Sequence, residues 1–178
     1  DVVFEDLPPG VLAQTMQASV EDDLGTSGRG FVALTRSVVI LPGNMTNLPS
    51  PCPCPSWSEA FFGTLVHEFG HALGLQHSFA SSAMSTSVTR ATTRARPLAA
   101  DDIAGVSALY PTRGFAANFG TITGRVTAGS AGIGYASVMA MAPSGAVVGT
   151  VTNPDGTYRL EGVPAGQYLM YVHPLPPA

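Results

Sequence analysis

Three of the chain's four histidines fall in one short stretch, Leu65-Val-His-Glu-Phe-Gly-His-Ala-Leu-Gly-Leu-Gln-His77. On a helix, residues four apart lie about 40° apart around the axis and about 6 Å apart along it, so His67 and His71 aim two imidazoles at one point. Gly74 follows three residues after His71. A residue free to take positive φ lets the helix stop there and the chain turn back, which brings His77 into the same space. Three neutral imidazoles with a fourth position left to water describe a catalytic zinc site, because a closed structural site takes four protein ligands, usually with thiolates. Glu68 stands beside the first ligand, placed to take a proton from water that the ion acidifies toward a pKa of about 7 and to hand it to a leaving amine. The alternative, ordinary histidines on an amphipathic helix, leaves five residue types at set spacings unexplained.

The full string His-Glu-x-x-His-x-x-Gly-x-x-His resembles the metzincin clan of zinc peptidases, and Gly-His-Ala-Leu-Gly-Leu-Gln-His-Ser is most similar to its matrixin branch, in which a serine such as Ser78 follows the third ligand. The resemblance implies a zinc endopeptidase with His67, His71 and His77 on the metal and Glu68 as general base and then acid. It also implies that Met84, seven residues past His77, forms a tight turn beneath the metal and packs an apolar floor under the imidazoles without ligating; a core filler is the alternative. Where many matrixins continue with Pro-x-Tyr, this chain has Ser85-Thr86-Ser87. A pocket is expected there, with its depth and preference not legible.

Positioning these residues requires a helix and a sheet. Ser56-Trp57-Ser58-Glu59 fits a capping box, and the helix it opens is expected from about Trp57 to Gly74, with Phe61, Leu65, Phe69 and Leu73 as a core stripe that stops it rotating. Upstream, Asp1 to Asp6 is a short β-type run closed by Pro8-Pro9-Gly10, and Ser37 to Leu41 is a buried-strand pattern. Between them, Val11 to Met16 is either an ordinary strand or short helix or, as the resemblance implies, the sheet edge whose main chain takes an extended substrate as an added strand. On that reading Val11, Leu12, Ala13 and Gln14 are the substrate-binding candidates. The acidic, glycine-containing stretch Glu21 to Gly30 lies where the family often binds calcium, but only Glu21, Asp22 and Asp23 offer ligands, so a calcium ion has little support. Arg90, Arg94 and Arg96 are expected to be solvated surface, and Pro97 to Tyr110 is similar to the final matrixin helix, whose paired aspartates, here Asp101 and Asp102, brace the Met-turn in the family.

Past a linker the pattern changes to alternation and turns. Strands are expected over 121–127, 135–142, 146–152, 156–161 and 167–172, with turns at Asn153-Pro154-Asp155-Gly156 and Val163-Pro164-Ala165-Gly166. The run from Thr152 to Tyr168 resembles carboxypeptidase regulatory-like domains, small β-sandwiches appended to secreted enzymes. It carries no catalytic constellation, and His173 is expected at the surface. The fold expected is therefore α+β: a zincin-like domain at 1–112 with a twisted mixed sheet, an active-site helix and a C-terminal helix, a linker at 113–120, and a small all-β sandwich at 121–178. The first domain is expected to lack N-terminal family elements, because only 66 residues precede His67, and the second to be truncated.

Composition narrows the rest. With 178 residues, 45% hydrophobic and 11% charged, the chain is globular and rich in loops, with 20 Gly and 15 Pro. All eight basic residues are arginines, scattered against a net charge of −4, so nucleic acid is not an expected partner. No apolar run reaches the roughly 18 residues of a membrane span. The chain starts at Asp1 without methionine, which suggests a processed or excised piece of a longer, secreted precursor. Peptides or proteins are the expected substrates, and the β domain is expected to dock to a surface, a polysaccharide or a protein. A non-catalytic secreted adhesion or scaffold protein that keeps a zincin-like fold is the rival reading. A third is a purely structural zinc, with Cys52 or Cys54 of Pro-Cys-Pro-Cys-Pro as fourth ligand; otherwise that pair is a surface loop of free or oxidised thiols.

Overall fold

Residues 1–19, 34–43, 57–86, 90 and 92–174 are described by the computed structural model. The calcium candidates Glu21, Asp22 and Asp23, both cysteines and the capping residue Ser56 lie outside them. The described chain is mixed α and β, with few helices and many strands, and it divides into two compact units, Asp1–Gln76 and His77–Ala178.

In the first unit, the continuous apolar run at Val38 to Leu41 forms part of the middle strand of a sheet, the place for a strand with both faces covered. Strand β3 (Leu34–Pro42) lies between β1 (Val2–Glu5), which it pairs in parallel from Val2↔Val39, and β2 (Gln14–Ser19), which it pairs antiparallel from Gln14↔Ile40. Val39, Ile40 and Leu41 are buried. Strand β2 begins later than the sequence suggests. Val11 closes the Pro8-Pro9-Gly10 turn through its amide on the Pro8 carbonyl (3.1 Å), so Val11, Leu12 and Ala13 precede the strand and only Gln14 joins it.

Helix α1 (Trp57–Ala72) carries the histidine motif. The expected core stripe holds at one end only. Phe61 and Leu65 are half-buried, but Phe69 and Leu73 are 45% and 44% exposed, while His67, Glu68 and Gly70 are buried. Each four-residue step advances about 40°, so the stripe drifts around the helix and leaves the covered face, which the histidine side occupies instead.

Among the described residues the second unit contains the loop after His77, helix α2 (Ala100–Leu109), a single helical turn α3 (Phe115–Asn118) inside the expected linker, and seven strands. Strand β4 (Phe119–Arg125) pairs with β9 (Thr157–Pro164), and β5 (Thr127–Ala128) pairs with β6 (Ala131–Gly132). The third sheet runs β10 (Leu169–Pro174), β7 (Ala136–Met141), β8 (Val147–Val151), all antiparallel. Its middle strand β7 is buried at five successive residues, Ala136 to Ala140. The turn at Asn153 closes as its sequence implies, with the Gly156 amide on the Asn153 carbonyl at 2.8 Å. One apolar cluster joins Ala140, Val148, Leu160 and Val163 from the strands with Ala104 from α2.

Candidate metal centre

The C-terminus of α1 sets up the site. The Leu75 amide reaches the Gly70 carbonyl at 3.0 Å and the Gly74 amide reaches His71 O at 2.8 Å, with Gly74 at φ +99°. This is a Schellman motif, whose left-handed residue costs glycine little and a side-chain-bearing residue more. The turn has two consequences. It redirects the chain toward His77, and it places the Leu75 carbonyl 2.8 Å from His71 Nδ1. A carbonyl can only accept, so Nδ1 carries the proton and Nε2 keeps its lone pair for a metal.

His67 Nε2 and His71 Nε2 stand 3.1 Å apart, their rings at 89°. One ligand atom from each of His67, His71 and His77 falls within 4.8 Å of the other two. Zinc binds imidazole nitrogen at about 2.0–2.1 Å, which sets two ligands of a tetrahedron about 3.3 Å apart. The spacing of the helical pair and the all-nitrogen donor set therefore fit that ion. His67 is buried, His71 partly buried and His77 exposed.

Glu68 is buried beside the ligands, and its carboxylate is held by a residue the motif does not contain. Thr15 Oγ1, on β2, donates to Glu68 Oε2 at 2.6 Å and also lies 3.0 Å from the Glu68 carbonyl. Alternate residues of a strand share a face. Gln17 accordingly also meets α1, its Nε2 donating to the His71 carbonyl, and Ser37 Oγ on β3 donates to the Ala72 carbonyl at 2.9 Å. The last carbonyls of a helix have no partner within it, and here the sheet supplies them. Of the expected substrate residues only Gln14 is part of β2, which is one of the two outer strands of its sheet among the described residues.

Downstream, Met84 is 3% exposed in a turn closed by the Ser85 amide on the Ser82 carbonyl (3.2 Å), and the Ser78 amide donates to the Met84 carbonyl at 3.0 Å. Asp102, at 3% exposure, fixes this turn. Its carboxylate accepts the amides of Ala83 (2.9 Å), Met84 (3.1 Å) and, at the start of α2, Ala99 (2.8 Å). Ser85, which stands where many matrixins have proline, is wholly buried, its hydroxyl donating to the Ala80 carbonyl and accepting the Ser82 amide. Arg90 is not solvated as expected but half-buried, with Nε and an NH2 on the Ser85 carbonyl, both at 3.3 Å; Arg94 and Arg96 are exposed. Asp101 accepts the Ser78 hydroxyl on one oxygen and the Gly149 amide on the other, and burial pushes its carboxyl above the ordinary range against the pull of those two hydrogen bonds. His173 is on β10, its ring edge-on to Phe79 and stacked on Tyr171.

With this geometry in place, comparison with known families adds a class. The family model described as Matrixin matches residues 54–111, a segment that runs from before α1 to the end of α2. The model described as Carboxypeptidase regulatory-like domain matches residues 121–174, the strands β4 to β10. The two occur in the order that the sequence resemblance implies, and each covers less than half of the chain. No solved structure matches the chain. The matrixin match supports a metallopeptidase kind of function, and the three histidines are the group in the described chain that can hold its zinc. No described helix is long and apolar enough to cross a membrane.

Proposed function

We propose that the chain is a secreted zinc-dependent endopeptidase of metzincin type, acting on extended protein substrates, with its peptidase part at 1–112 and its β-sandwich at 121–178. The observation that carries the reading is the pairing of two features: three imidazoles with mutually close ligand nitrogens, and a buried carboxylate next to them anchored by a threonine hydroxyl. When bound, zinc supplies Lewis acidity toward the scissile carbonyl and lowers the pKa of water toward about 7. His67, His71 and His77 would hold it, His71 in the tautomer that Leu75 O fixes. Thr15 occupies Glu68 Oε2, so Oε1 is the atom assigned to accept the proton from water and deliver it to the leaving amine. Met84 closes the site from below as an apolar floor. The substrate lies along the outer edge of β2 and adds to the sheet through main-chain hydrogen bonds. Because Thr15 sits on that same strand, substrate binding and Glu68 orientation share one support.

The test is a mixed peptide library incubated with the zinc-loaded chain and with Glu68→Ala. The unaltered chain is expected to cleave in a chelator-sensitive manner, and the variant to keep its zinc while losing nearly all cleavage. Peptide hydrolysis retained in the variant would refute the role given to Glu68. A chain that binds zinc but cleaves nothing favours the adhesion or scaffold reading.

A further inference from the structure

The β segment shares its core with α2, the helix that ends the matrixin match. Ala104 of α2 belongs to the same buried cluster as Leu160 and Val163 of β9. Contact there is too close for a side chain on the strand: Gly162, at φ +72°, would put a Cβ 2.9 Å from both Cα and Cβ of Ala104. Three residues before Ala104 on the same helix, Asp101 extends this connection by hydrogen bonds. Its Oδ1 accepts the Gly149 amide at 2.7 Å, and its Oδ2 accepts the hydroxyl of Ser78, the residue next to His77. Gly149 lies on β8, an outer strand of its sheet among the described residues, and its amide turns to Asp101. Ser78 is itself held by three hydrogen bonds: besides donating to Asp101, its hydroxyl oxygen accepts the Ala80 amide at 3.0 Å, and its own amide donates to Met84 O.

Resting on the zinc reading above, we infer that Asp101 is a positioning residue for the third metal ligand and that the Gly149 amide is its anchor, so that the β segment is a working part of the metal centre. A carboxylate with a donor on each oxygen has one orientation. It thereby fixes the Ser78 hydroxyl and, through it, the backbone that presents His77. Without the Gly149 donor the carboxylate rotates, Ser78 is released, and His77 must be ordered at the moment the metal binds. Losing partners that orient metal ligands typically costs about 10–100-fold in metal affinity.

The experiment measures zinc affinity of the full chain by competition with a chromophoric chelator, together with the absorption spectrum of the cobalt(II)-loaded chain, neither of which needs catalysis. Asp101→Ala removes both acceptors, and Gly149→Pro removes the donor on an outer strand, where its Cβ would meet the Met139 sulfur at 2.8 Å and that flexible side chain must shift. Each is expected to weaken zinc binding about tenfold or more and to alter the cobalt spectrum. Asp101→Asn still accepts from Gly149 and meets Ser78 with its amide, and should stay within about threefold of the unaltered chain. Far-UV circular dichroism confirms that the variants are folded, and Asp101→Ala carries the test if Gly149→Pro is not. Affinities for Asp101→Ala and Gly149→Pro within twofold of the unaltered chain, with unchanged cobalt spectra, overturn the inference. A loss in Asp101→Ala with none in a folded Gly149→Pro overturns the part given to the β segment. An unaltered chain that takes up no zinc removes the peptidase reading itself, and this inference with it.

Discussion

The metal centre and the β segment are held together by different forces. Among the described residues from α1 to the start of α2, the buried side chains are largely polar, His67, Glu68, Ser82, Ser85 and Asp102, and the buried apolar ones are small or flexible, Ala80, Ala83 and Met84. The β segment buries Val138, Met139, Val148, Leu160 and Val163 and relies on packing. Hydrogen bonds fix direction but add only about 0.5–1.5 kcal/mol each, whereas a fully buried large aliphatic side chain contributes about 1.5–3 kcal/mol with little directional demand. The segment that must aim imidazoles at one point therefore uses fastenings that aim, and the β segment relies on cohesion.

Four changes break or sharpen that contrast. His71→Ala or His77→Ala removes one of three zinc ligands, and zinc affinity is expected to fall by more than about a thousandfold, measured by chelator competition. Secondary structure by circular dichroism should persist, since the helix and strands around it do not depend on an imidazole. Leu160→Ala opens a cavity in the packed cluster and is expected to cost about 2–5 kcal/mol in denaturant unfolding. A loss well below that range would mean that the β segment is not held by its core. Gly74→Ala strains the left-handed residue that ends α1, with an expected cost of about 1–2 kcal/mol in stability. Because the same turn presents Leu75 O to His71, its zinc affinity should drop as well, and an unaltered affinity would separate turn from tautomer.

The smallest effect concerns pH. Burial raises the Asp101 carboxyl, so the folded state holds that proton more tightly than the unfolded chain does, and this group's contribution to stability is lost as pH rises from the ordinary carboxylate value through the raised one. Asp155, in the β turn, is lowered by the Thr157 hydroxyl and amide; its contribution is present above the ordinary value and lost as pH falls through the lowered one. Stability differences between the chelator-treated chain and its Asp101→Asn and Asp155→Asn variants, followed from pH 3 to 6, about the range in which carboxylates titrate, should slope in opposite directions. Parallel slopes would mean that the two carboxylates do not differ in environment.

The elements with short-range signals were legible from the residues. The histidine spacing on one helix, the glycine that ends it, the run at Val38 to Leu41 and the turn at Asn153 all depend on neighbours within a few positions. What spacing did not reveal is which partners from elsewhere in the chain hold them. Thr15 is 53 residues from Glu68, and nothing around it marks a threonine that will meet a carboxylate. The strand β2 starts later than expected for a related reason: Val11 favours strands, but a turn closed on Pro8 takes its amide. Phe69 and Leu73 fit a helical stripe, and only the position of the sheet decides which side of α1 is covered.

The sequence alone thus determined the donor types, their order on the helix and the succession of a matrixin-like and a regulatory-like segment, because those depend on local periodicity and composition. The bracing of the Met84 turn by Asp102 follows the resemblance, whereas the tertiary structure decided the tautomer of His71, the hydroxyl on Glu68 and the Gly149 amide on Asp101. Those are contacts at long sequence separation, where the geometry of the folded chain, not the identity of neighbouring residues, selects the partner.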